Sequence, residues 1–144
     1  MAYSTQDDIL NQLDEDTLIQ LTDDEGTGAV DTDVVTRAIA DADATIDAYC
    51  QGRYLVPLDP VPGKIRQISV DIAVYNLFSR RRGAPDDRKD RNKEAIRFLE
   101  RVAEGKIGLG VQPNPEAPGE NDYAGGVRVS ARDKDFDTDT MSKY

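Results

Sequence analysis

Histidine and tryptophan are absent from the 144 residues, and Cys50 is the lone cysteine. Without histidine, the Ser–His and Cys–His dyads and every His-containing zinc site are excluded. One cysteine closes no internal disulfide, and its place at the end of a helix beside an apolar stripe marks a reduced core thiol rather than a reactive one. No apolar run approaches the ~20 residues of a membrane span. The opening MAYSTQDDIL has neither the basic start nor the apolar stretch of an export signal. The expectation is a soluble single-domain chain, long enough to bury a modest core.

What the chain has in excess is unevenly placed charge. Residues 1–62 carry 2 basic and 14 acidic side chains, net −12, whereas residues 63–110 carry 12 basic and 7 acidic, net +5. The final 34 residues, with 4 basic and 7 acidic, are net −3, which brings the whole to −10. A chain acidic at one end and basic in the middle is suited to pairing head to tail with a second copy. Solvation of helix faces is the alternative reading.

The periodicity predicts an all-α fold: a small bundle of about four helices, an extended proline-rich arm after the long second helix, and a flexible C-terminal tail. Ser4 or Thr5 is placed to cap a short first helix with Asp7 and Asp8 in its opening turn and Ile9, Leu10 and Leu13 on its apolar side. Residues 14–22 add one or two turns with Leu18, Ile19 and Leu21 inward. A long helix spans 32–51, with Asp31 or Thr32 at its N-cap. Val35, Ile39, Ala42, Ile46 and Tyr49 form its buried stripe, and Arg37, Asp41 and Asp47 face water. Gly52 stands where a C-cap belongs. Pro57, Pro60 and Pro62 then predict an extended or polyproline-like run over 55–62. The segment 63–78 is apolar around most of its circumference, which places it at the centre; its β-branched run over 68–74 also suits a strand, but length and spacing favour helix. After the RRRGAPDD loop, Asp86 or Asp87 caps a helix over 88–104 with Ile96, Leu99, Val102 and Ala103 inward. Gly105 ends that helix, and Ile107 and Leu109 tuck back. Residues 1–110 form the helical domain. Residues 111–144 form a proline-rich, acidic tail, with a short strand possible at 127–130.

Three constellations bear on chemistry. Asp23, Glu25, Thr27 and Gly28 fall at the first, third, fifth and sixth places of a calcium loop, but the twelfth place is Val34, where a bidentate carboxylate belongs. A solvated acidic loop is the better reading. Arg80, Arg81 and Arg82, with Arg88, Lys89, Arg91 and Lys93 close by, make a basic patch, without interleaved aromatics and with Asp86, Asp87 and Asp90 inside it. Asp43 and Asp47 lie four apart on one face with Asp41 nearby, yet no histidine, basic clamp or glycine-rich loop accompanies them. The expectation is no catalytic residue, no metal and no cofactor.

The phrases AYSTQDDILNQL, LIQLTDD, DTDVVTRAIADADATIDAYCQGRYLVPL, DIAVYNLF and RFLERVAEGKIGLG, in that order over residues 2–110, resemble the small structural proteins of Mu-like prophages. Those are similar to the head completion, or head-to-tail connector, proteins of long-tailed phages. The resemblance implies a non-enzymatic adaptor in the neck of the virion, made in the cytoplasm of the bacterial host. It implies a homo-oligomeric ring of on the order of a dozen copies between portal protein and tail or stopper protein, with genomic DNA passing through the lumen without specific binding. Arg53, Tyr54, Pro57, Arg80, Arg81, Arg82, Asp41 and Asp47 are the candidate subunit or portal interface residues. A small helical regulator or nucleic-acid-binding module using the basic 80–93 patch is the alternative function. An acidic DNA mimic that blocks a nuclease is a third.

Overall fold

The computed structural model describes residues 2–81 and 83–115. Five helices follow one another: α1 (Gln6–Leu10), α2 (Glu15–Thr22), α3 (Thr32–Cys50), α4 (Gly63–Ser79) and α5 (Asp86–Ala103). The first three begin on side-chain caps. The Thr5 hydroxyl accepts from the Asp8 amide while the Asp8 carboxylate accepts from the Thr5 amide, a reciprocal capping box. Asp14 accepts from the Thr17 amide at 3.1 Å, and Asp31 from the Asp33 and Val34 amides. α4 and α5 instead start after Pro62 and Pro85, with no side-chain cap. Asp86 and Asp87 are therefore not caps as expected. They lie inside the first turn of α5, where carboxylates offset the positive end of the helix dipole.

The α3 stripe is buried as its spacing predicts through Val35, Ile39, Ala42 and Ile46, with Tyr49 half-buried; Val34, Ala38 and Cys50 widen it. It packs on α4, whose Ile65, Ile68, Val70, Ile72, Ala73, Val74, Leu77 and Phe78 are all buried, so α4 is the central helix. Antiparallel to α4, α5 lies against α3 and α4 with Ala95, Leu99 and Val102 inward. Ile96 is half-buried and Ala103 exposed, because α5 presents a narrower apolar face than expected. α1 and α2 cover the remaining sides of α3 and α4, with Ile9, Leu13, Leu18 and Leu21 in the same core.

Two loop expectations are corrected. Gln51, not Gly52, is the C-cap of α3, and the chain leaves through a turn in which the Arg53 and Tyr54 amides both donate to the Cys50 carbonyl. The arm is bent rather than extended, with cis peptides at Val56–Pro57 and Asp59–Pro60. α5, by contrast, ends where expected. Gly105 adopts φ +83°, and the Gly105 and Lys106 amides return to the Val102 and Arg101 carbonyls in a Schellman motif. The strand expected at 127–130 lies outside the described residues.

Candidate functional site

The polar groups of the described chain gather in four places. The first is an N-terminal latch. Tyr3 and Ser4 are buried at 2% exposure each. The Tyr3 amide donates to Asp43 Oδ2 at 3.1 Å, and its hydroxyl donates to Asp47 Oδ1 while accepting from the Leu58 amide at 2.8 Å. Ser69 donates to Asp43 Oδ1 at 2.9 Å. Its single proton is thereby used, so Ser4 is the donor across the 2.7 Å contact between the two serine hydroxyls. Burial pushes the Asp43 carboxyl above its ordinary range, opposed by the Tyr3 and Ser69 hydrogen bonds. Burial, then the Asp47 carboxylate, raise the Tyr3 phenol. Asp47 was expected to face water; it is half-buried because the latch closes over it. Asp41, the third carboxylate of the set, stays exposed and apart from the latch. A cleft of about 530 Å³ opens between residues 2–6 and the Val35–Asp47 face of α3. The two carboxylates that line it already serve protein donors.

The second place is the acidic loop. The Asp23 carboxylate accepts from the Thr27 amide at 2.9 Å and the Gly28 amide at 2.7 Å, with the Thr27 hydroxyl adding a third donor. Those donors hold its carboxyl below the usual range. Asp24 receives Arg80 and Arg81, each at 2.7 Å, and the same arginines donate to the Leu21 and Asp23 carbonyls. The loop thus spends Asp23 on its own turn and Asp24 on the arginines at the end of α4, while Glu25 stays exposed. Among the described residues, no group of three or more acidic or thiol side chains is arranged to hold a metal ion. Of the arginine triple, Arg80 and Arg81 are bound within the chain, and Arg82 lies outside the described residues.

The third place joins the arm to the strap that follows α5. Arg53 Nε donates to the Ala103 carbonyl at 3.2 Å, and the Tyr54 hydroxyl accepts from the Leu109 amide at 2.9 Å. The Leu55 amide donates to the Gln112 carbonyl, the Asn114 amide to the Arg53 carbonyl, and Asn114 Nδ2 to the Gln51 carbonyl. Arg53 and Tyr54 therefore turn inward as a clamp. Leu55, Pro57, Asp59 and Pro60 are left outward, Leu55 being 42% exposed and the one large hydrophobic so exposed among the described residues.

The fourth is the junction of α1, α4 and α5. Arg88 Nη2 donates to the Gln12 carbonyl and Arg91 Nη1 to Gln12 Oε1, so both are drawn off the basic patch onto the α1–α2 connection. Arg88 Nη1 is buried without a hydrogen-bond partner. Asp71 is buried nearby, its carboxyl raised by burial against the opposing pull of Arg91, Arg88 and Lys64. Sequence spacing found the arginines but not these partners, because Gln12 and Arg88 are 76 residues apart. Cys50 is fully buried, and burial pushes its thiol up to about 11, as suits an inert core residue.

These features define a small all-helical protein whose interior polar groups hold its own segments in place. Its sequence matches the family described as Bacteriophage Mu, Gp36, over residues 3–127, and the chain belongs to that family of phage proteins. It is similar to the Mu-like prophage FluMu protein gp36 of Haemophilus influenzae, 40% identical over 88 residues, which is 61% of this chain and 61% of that protein's length. It is also similar to Gene product J of Escherichia phage Mu, 29% identical over 124 residues, 85% of this chain and 86% of that protein.

Proposed function

We infer that this phage protein is structural: a head-to-tail connector that assembles as a ring between portal and tail and works by docking rather than catalysis. The observation that carries the reading is the arm. Its backbone is pinned to the strap, by the Leu55 amide on the Gln112 carbonyl and by the Asn114 amide on the Arg53 carbonyl, so that an exposed leucine is presented from a fixed scaffold. A large apolar side chain held rigidly in water is what a docking anchor requires, because little ordering entropy remains to be lost on contact. Family membership supports a role in building the phage particle. Charge supports a heterologous contact, since residues 1–62 are net −12 and residues 63–110 net +5. A net charge of −10 also suits the wall of a DNA channel, where tight phosphate binding would slow passage. Arg80, Arg81, Arg88 and Arg91 are occupied within the chain, which leaves the 80–93 segment with few cations for a nucleic acid.

The test is complementation with Leu55→Asp. Leu55 is exposed, so stability should change by less than about 0.5 kcal/mol. Electron micrographs of lysates should show full heads and finished tails accumulating unjoined. Normal yields of joined particles would contradict the arm's role.

A further inference from the structure

We propose that the shallow groove between the start of α4 and the outer face of α5 receives the acidic first turn of α2 from a second copy, with Glu15 and Asp16 meeting Lys64 and Arg101. The inference rests on the ring reading and names the two surfaces of its repeating contact. The groove, about 200 Å³, is lined by Lys64, Glu94, Arg97, Phe98, Arg101 and Ile107. Lys64 Nζ sits 5.5 Å from the centre of the Phe98 ring, which holds the ammonium over an aromatic floor. Glu94 is neutralised by Arg97 at 3.1 Å. Lys64 and Arg101 are left without an ion pair among the described residues, one on each helix.

The complementary surface has the opposite deficit. Residues 1–36 contain ten carboxylates and neither lysine nor arginine. Several are used locally: Asp8, Asp14 and Asp31 in caps, Asp23 in its turn, Asp24 on Arg80 and Arg81. Asp7, Glu15, Asp16, Glu25 and Asp33 remain, and of these Glu15 and Asp16 are the adjacent pair, both exposed and on the first turn of α2. Within the chain, the ion pairs among the described residues join neither Glu15 nor Asp16 to Lys64 or Arg101. Complementary surfaces that do not meet within one copy can meet between copies, head to tail, and such a contact repeats around a ring. A second copy fits better than a nucleic acid, because the exposed carboxylate of Glu100, next to Arg101 on α5, repels a continuous phosphate backbone.

The experiment is a charge swap on the full-length chain, read by sedimentation velocity at low and moderate salt, with helical circular dichroism as the folding control. Lys64→Glu with Arg101→Glu, and separately Glu15→Lys with Asp16→Lys, should each weaken association at least tenfold. Mixing the two variants should restore it, since every groove then meets a turn of opposite sign. Glu15→Gln with Asp16→Asn, which leaves the groove intact, should weaken association less. Oligomers that persist in every variant would overturn the inference and leave the ring reading standing. A wild-type chain that stays monomeric up to its solubility limit would overturn both. Binding of a short DNA duplex by the wild type that is lost on Lys64→Glu with Arg101→Glu would assign the groove to nucleic acid instead.

Discussion

Removing the Tyr3 hydroxyl leaves two groups without their partner: the Leu58 amide, on a fully buried residue, and the half-buried Asp47 carboxylate. Tyr3→Phe should therefore cost about 1–3 kcal/mol, seen as a lower urea midpoint with unchanged slope. Asp71 behaves in the opposite sense. Burial raises its folded-state carboxyl above the unfolded value, so the charged form is disfavoured by folding. The penalty is absent below the unfolded value, near pH 3.8, and enters as pH rises through the folded value. Asp71→Asn should accordingly raise stability at neutral pH and leave it unchanged at the acid end, in urea titrations across that window. Asp14, Asp23 and Asp24 have lowered carboxyls, and their contribution is lost as pH falls through their folded values. The Tyr3 and Asp24 pairings, unlike the cap at Asp14 and the turn at Asp23, are not visible in local spacing. Asp47 looks solvent-facing on the α3 helical wheel, and only a tyrosine 44 residues away turns it inward.

The helices themselves were legible, because each carries its signals within a few residues. Asp31 before Thr32, the four-three spacing from Val35 to Ile46, and Gly105 after Ala103 place α3 and the end of α5 to within a residue or two. The differences fall where a long-range partner or a proline overrides the local rule: Pro85 takes the cap position from Asp86, and the strap pairs with residues 53–55 at the start of the arm. That strap is testable as an element. A Cβ built on Gly105 falls 2.6 Å from Arg53 Nη2, and the glycine's φ of +83° is left-handed. Gly105→Ala should cost the left-handed penalty, about 1–2 kcal/mol, plus the displacement of Arg53 from the Ala103 carbonyl. In an Arg53→Ala background only the first part should remain, so a double-mutant cycle should show clear coupling. Additivity would mean that the guanidinium moves aside without loss.

Across the whole molecule, the α-helical class followed from the sequence because the apolar residues of α3 and α5 recur at helical spacing and the run that forms α4, apolar nearly all round, is longer than a strand. The candidate surfaces were only half legible. Arg53 and Tyr54 are candidate interface residues by sequence, and the structure engages both with the strap while presenting Leu55 beside them. Charge segregation is a property of composition, so it was readable from the outset, but which charges remain unpaired emerged only once Asp24 was seen to hold two arginines. The central claim is that the remaining acidic and basic surfaces join copies head to tail in a closed ring. Its most direct test is the absolute mass of the purified chain by light scattering on a sizing column, over a range of concentration and at low and moderate salt. The account requires a discrete ring-sized species that is favoured by concentration and weakened by salt. A 15.9 kDa monomer under every condition would contradict it.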